Sequence, residues 1–203
     1  MYEIVKAGGI MMLPILLSSV VAIAIIIERL WTLQRDKVLP KDLFEKVWQW
    51  VEGNQLEERH LQALKQNSPL GRVLAAGLAN RDQPREVLRE AIEDAGRHAA
   101  HEFERFLNAL GTIAAMSPLM GLLGTVLGMI RTFNSITTQG IGNPSTLASG
   151  IAEALVATAA GLFVAIPSLI GYRWLRRYID NLVVDMEKEA IKLVDAVTKS
   201  ERK

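Results

Sequence analysis

Three uncharged apolar runs, each near the length needed to cross a bilayer, constrain this chain more than any other feature. They are Ala7–Ile27 (21 residues), Ala109–Ile130 (22 residues) and Ala154–Tyr172 (19 residues). A spanning helix needs about 20 such residues, because in hydrocarbon every backbone N–H and C=O must be satisfied within the segment. Half of the 203 residues are hydrophobic, and they concentrate in these runs. The expected fold is an all-α integral membrane protein with three transmembrane helices and long cytoplasmic helical extensions. A signal peptide is the competing reading of the first run, since Ala22-Ile23-Ala24 loosely resembles a cleavage site. Three isoleucines and Glu28-Arg29 follow it, and the run is long for a signal core, so an uncleaved anchor is expected.

Charge orients the spans. The N-terminal tail carries only Lys6 and the stretch between the second and third runs only Arg131, whereas Glu28–Phe106 carries 13 Lys or Arg and the tail after Tyr172 eight. By the positive-inside rule the N-terminus and the connector lie outside, and the middle segment and C-tail lie in the cytoplasm. The expected organisation is a periplasmic N-terminus (1–6), a first span (7–27), a cytoplasmic helical segment (28–108) and a second span (109–130). A periplasmic connector (131–149), a third span (150–172) and a cytoplasmic C-terminal helix (173–203) complete it. With 23 basic against 22 acidic residues the chain lacks the basic excess of a nucleic-acid binder. With no cysteine it can form neither a disulfide nor a thiolate metal site.

The polar segments are patterned as helices. Pro40–Val51 places Leu43, Phe44, Val47, Trp48 and Val51 on one face, with Gly53 as a stop. Ser68-Pro69 reads as a cap opening a short helix with Leu70, Val73, Leu74 and Leu78 inward. From Asp82 and Pro84, the stripe Leu88, Ile92, Ala95, Ala99, Phe103, Leu107 predicts one helix running straight into the second span, about 70 Å from residue 82 to 130. Leu175, Ile179, Leu182, Met186, Ala190, Leu193 and Val197 form a matching stripe, so the third span is expected to extend and pack against that helix. These helices use up the middle segment, and no enzyme domain is left over.

The polar residues inside the spans carry the functional signal. Gly121, Gly124 and Gly128 line one stripe of the second span beside Thr125, and Ala157 and Gly161 offer small partners on the third. Close helix packing is the plain reading of these residues; Pro118 and Pro167 join the packing set and either kink their helices or are simply tolerated. Thr125 and Thr158 each either bond back to their own helix or face a path. Glu153 stands about nine residues into a helix begun at Asn143-Pro144, too deep for a first-turn partner. It is either salt-bridged or snorkelling at the interface, or it belongs to a proton or ion route. Glu153 and Thr158 are about 140° apart around an ideal helix and point in different directions.

His98, His101 and Glu102 have helical metal-ligand spacing but no further ligand, and a solvated face is the better reading. Trp31, Trp48, Trp50 and Trp174 read as interface anchors or helix packing, Trp31 and Trp174 lying just cytoplasmic of the first and third spans. No phosphate loop, nucleophile elbow or zinc-protease motif occurs, so neither an enzyme nor a cofactor is expected.

Ser117-Pro-Leu-Met-Gly-Leu-Leu-Gly-Thr-Val-Leu-Gly128 followed by Gly150-Ile-Ala-Glu-Ala-Leu-Val-Ala-Thr-Ala-Ala-Gly161 resembles the paired signature of the MotA/TolQ/ExbB proton-channel family, ExbB most and TolQ next. The resemblance covers the whole chain, although the short N-terminus matches TolQ and many ExbB-like paralogues rather than the extended ExbB proteins. It implies a homo-pentamer in the bacterial inner membrane whose second and third spans enclose the single helices of an ExbD- or TolR-like partner. That partner bears the proton-carrying aspartate and passes motion to a TonB- or TolA-like protein; membrane lipids surround the ring. By the same likeness Thr125 and Thr158 offer hydroxyls to the proton pathway, and Glu153 tunes the pore's charge or contacts. Two other classes compete. A secondary transporter with Glu153 as its binding residue lacks the usual inverted repeats. A membrane scaffold leaves the intramembrane carboxylate without a purpose.

Overall fold

The structure, a computed structural model, describes residues 8–52, 58–139 and 144–200. The expected N-terminal segment 1–6 and the boundary signals Gly53 and Asn143 lie outside them, as do the side chains of Phe44, Val51 and Val197. The described residues are all-helical: α1 (Met12–Thr32), α2 (Arg35–Val38), α3 (Asp42–Glu52), α4 (Glu58–Asn67), α5 (Pro69–Ala79), α6 (Arg85–Phe103), α7 (Leu107–Gln139) and α8 (Pro144–Ser200). Three of them, α1, α7 and α8, are long and apolar enough to cross a membrane. The chain forms two compact units. One takes the chain up to Glu28 with Phe106–Leu175, the other Arg29–Arg105 with the chain from Arg176.

In the first unit α1 begins later than the apolar run does. Gly9 sits at φ +70°, a left-handed conformation that no helix interior contains, and its carbonyl accepts from Met12 N at 3.1 Å. Pro14 then falls in the first turn, where a missing N–H needs no partner. The helix also continues past Ile27 through Glu28 and Arg29. Arg29 is buried, and its Nη1 donates to the Phe103 carbonyl at 3.2 Å. Charge at that point ends the apolar run without ending the helix.

The single helix expected from residue 82 to 130 does not form. It is broken at residues 104–106 between α6 and α7. Glu104 N–H closes on Ala100 O at 2.9 Å, Arg105 N–H tightens onto Glu102 O at 3.3 Å, and Arg29 takes the Phe103 carbonyl that a continuous helix would offer to Leu107 N–H. Neither glycine nor proline marks this break. α7 in turn runs to Gln139 and α8 starts at Pro144, so most of the expected 131–149 connector is helical.

In the second unit the heptad-like stripes are buried as spaced. Leu175 closes the first unit, and beyond it Ile179, Leu182, Met186, Ala190 and Leu193 are at most 3% exposed on α8. Leu88, Ile92, Ala99 and Phe103 are buried on α6, while Ala95 is half-buried. Ser68 Oγ accepts from Gly71 N at 3.1 Å, the N-cap of α5, with Pro69 at the first helical position. Ion pairs sit at the rim: Arg35–Asp185 at 2.9 Å, Arg85–Asp195 at 2.7 Å and Arg72–Glu102 at 2.6 Å. Lys37 Nζ donates to Trp31 O at 3.0 Å and lies 4.2 Å from that ring's centroid, satisfying a carbonyl in the last turn of α1.

Candidate functional site

In the first unit α7 and α8 approach backbone to backbone. A Cβ on Gly161 would stand 2.5 Å from the Ser117 carbonyl oxygen, and one on Gly121 3.0 Å from both Ala157 O and Thr158 Cα. Towards the α7 C-terminus a Cβ on Gly124 would meet Ala157 Cβ at 2.5 Å, and one on Gly128 would meet Ala154 Cβ and Gly150 O at 3.2 Å. The sequence supplies small residues every three or four positions on both helices, and the space between them is filled by main chain and alanine methyls. Pro118 is half-buried. Pro167, expected at a packed surface, is exposed, because its neighbours Val164, Ala165 and Ser168 are the ones turned inward.

Hydroxyls serve the carbonyls of this seam. Thr158 Oγ1 donates across to the Gly121 carbonyl at 3.2 Å, whose own helical partner is the N–H of Thr125. Thr125 Oγ1 donates to Leu122 O at 2.6 Å within α7 and is half-exposed. The buried Thr132, Ser117 and Ser168 each bond the carbonyl four residues earlier, at 3.0, 2.7 and 2.7 Å. Among the described residues no buried side-chain nitrogen or oxygen lacks a hydrogen bond.

Glu153 is ion-paired across the two helices. Its Oε1 accepts from Arg131 Nη1 at 2.5 Å, and the carboxylate side chain is 23% exposed against 52% for the guanidinium. The three polar residues singled out by sequence are thus on one pair of helices, but none bonds another: Thr125 holds its own helix, Thr158 the facing backbone, Glu153 the facing arginine. Sequence reasoning missed Arg131 as the counter-ion. The available signal was that it is the sole base between the second and third apolar runs. Thr132 was also missed, although it continues the Gly124–Gly128 stripe by one further step of four.

In the second unit Glu102 is engaged by both Arg72 guanidinium nitrogens, at 2.7 and 2.6 Å, which leaves the His98/His101 spacing without its carboxylate. That hydrogen bond, ahead of the opposing effect of burial, holds the Glu102 carboxyl below its ordinary range. Among the described residues no group of three or more His, Cys, Asp or Glu side chains could hold a metal ion.

Chemically, the α7–α8 seam offers hydroxyls that can exchange hydrogen-bond partners beside a fixed carboxylate, in helices whose outer faces are apolar. Phe163 is 81% exposed and Leu155 65%. The class so defined is an all-helical membrane protein with a charged, hydroxyl-bearing span pair. Residues 65–188, more than half of the chain, match the MotA/TolQ/ExbB proton channel family. Similar proteins include the putative biopolymer transport protein ExbB-like 1 of Synechocystis sp., 39% identical over 178 residues, which are 83% of this chain and 67% of that one. The biopolymer transport protein exbB1 of Vibrio cholerae is 30% identical over 183 residues, 88% of this chain and 80% of that one. The Tol-Pal system protein TolQ of Pseudomonas aeruginosa is 31% identical over 174 residues, 80% and 75% respectively. This chain belongs to the MotA/TolQ/ExbB proton channel family.

Proposed function

We propose that the chain is an ExbB-like subunit of an inner-membrane proton channel. With an ExbD-like partner it converts proton motive force into mechanical work and energises TonB-dependent outer-membrane transport. The observation that carries this reading is a carboxylate and two threonines on a close-packed pair of apolar helices, in the sequence setting of a proton-channel family. The N-terminus and the α7–α8 junction face the periplasm, and the Lys/Arg-rich second unit faces the cytoplasm. Copies of the chain, five by family likeness, surround the partner helices with α7 and α8. Thr125 and Thr158 lend hydroxyls to protons reaching the partner's acidic residue, and Glu153 sets the charge of the path. Each proton crossing 100 mV releases about 2.3 kcal/mol to move the partner within the ring.

A second reading has one specific support, the similarity to a TolQ protein at comparable coverage. In it the same machinery drives a TolA-like protein and maintains the cell envelope. Complementation separates the two. The chain, expressed with its ExbD/TolR-like partner, is expected to restore siderophore-dependent growth to a strain lacking ExbB and TolQ. Restoration of detergent resistance alone would select the TolQ reading, and restoration of neither would reject both.

A further inference from the structure

Glu153 is bordered by two residues to which the proposed pathway gives no role. Arg131, in the C-terminal part of α7, donates Nη1 to Glu153 Oε1. Gly9, three residues ahead of α1, approaches from a different element, and a Cβ there would collide with that same Oε1 and stand 2.8 Å from Glu153 Cδ. Gly9 also holds φ +70°, which disfavours any side chain independently of the contact. Two separate constraints therefore converge on one carboxylate oxygen, while among the described residues no hydrogen bond ties down the other. Among the described residues Arg131 is the one charged group paired with Glu153.

We infer that Arg131 and Gly9 are positioning residues for Glu153. The guanidinium fixes Oε1, the glycine leaves the room in which that oxygen sits, and Oε2 is presented as the acceptor that a hydrated proton or a partner's donor meets. This inference rests on the proton-channel reading. Loss of the guanidinium releases the carboxylate and a side chain at Gly9 displaces it, and neither change touches the glycine contacts that hold α7 to α8.

The test is proton uptake per assembled complex, with the full chain and its ExbD/TolR-like partner in liposomes under an imposed potential. Arg131→Gln, which leaves the carboxylate without its partner, and Gly9→Ala, which displaces it, are each expected to lower uptake about tenfold. Arg131→Lys, which keeps the charge, is expected to stay within about twofold of wild type. Gly8→Ala, whose Cβ would crowd Met12 and Val156 but not Glu153, is expected to lose less uptake than Gly9→Ala. Wild-type uptake that Arg131→Gln leaves intact, or a Gly9→Ala no worse than Gly8→Ala, overturns the inference alone. A wild-type complex without uptake overturns the channel reading and this inference with it. Where either single variant fails to assemble, the double reversal Arg131→Glu/Glu153→Arg is read for assembly alone: a complex that forms where each single reversal does not supports the pairing, and one that does not form overturns it.

Discussion

Where α7 meets α8 in the first unit, the contacts are made by Gly121, Gly124, Gly128, Ala154, Ala157 and Gly161, with main-chain atoms and alanine methyls as their neighbours. Where α5 and α6 meet α8 in the second unit, Leu74, Ile92, Met186, Leu193 and Val194 fill the interior instead. The difference follows from the solvent. Lipid tails are as apolar as leucine, so association in a membrane relies on close packing and hydrogen bonds, and small residues bring backbones together. In water, burying large side chains drives association by itself, and charged rims keep the outer surface soluble. The polar chemistry differs in the same sense: Glu153–Arg131 is the one ion pair between α7 and α8 among the described residues, whereas Arg35–Asp185, Arg72–Glu102 and Arg85–Asp195 are three pairs at the exposed rim of the second unit.

The largest expected effect breaks the first side of this contrast. Gly161→Leu would drive a side chain into the Ser117 carbonyl and the Gly121 Cα, so size-exclusion chromatography in detergent should show no monodisperse complex. In the second unit the sensitive change is the opposite one, large to small. Leu193 is fully buried, and Leu193→Ala should lower stability by about 2–5 kcal/mol, read as thermal unfolding. Ser68→Ala removes the α5 cap and should cost about 1 kcal/mol in the same assay.

Gly96→Ala sharpens the comparison because it resembles the Gly161 change only in name. Its Cβ would meet the end of the Glu187 side chain, which can swing away, so helix propensity decides and stability should rise by up to about 1 kcal/mol. Smallest of all are two opposed pH dependences. Burial first, and the Glu93 charge second, push the Glu187 carboxyl up from 4.5. Its contribution is therefore full below about 4.5 and lost as pH rises through the folded value. Glu102, lowered from 4.5 by the Arg72 hydrogen bond, contributes above 4.5 and loses that contribution as pH falls through its folded value. Unfolding of Glu187→Gln and Glu102→Gln against wild type between pH 3 and 7 should show slopes of opposite sign, each below ~1 kcal/mol at these screened positions.

Much of this fold is legible in the sequence because its signals are local. Run length gives α1, α7 and α8, spacing gives the buried stripes of α6 and α8, and Ser68-Pro69 gives a cap. The break at residues 104–106 is not legible, because the group that takes the freed Phe103 carbonyl, Arg29, lies more than seventy positions away. The polar residues of the site were visible as residues out of place in apolar runs, but their partners were not. Glu153 needed Arg131 from the facing helix and Gly9 from the segment ahead of α1, and only a folded chain brings these together.

On the proposed reading, protons pass along the hydroxyls of the α7–α8 seam. The most direct measurement is proton uptake into liposomes holding the chain with its ExbD/TolR-like partner, comparing wild type with Thr158→Val under an imposed potential. The expected result is uptake in wild type and its loss in the variant, with the complex still assembled. Equal uptake in the two would contradict the place given to Thr158. No uptake from intact wild-type complexes would contradict conduction by the seam.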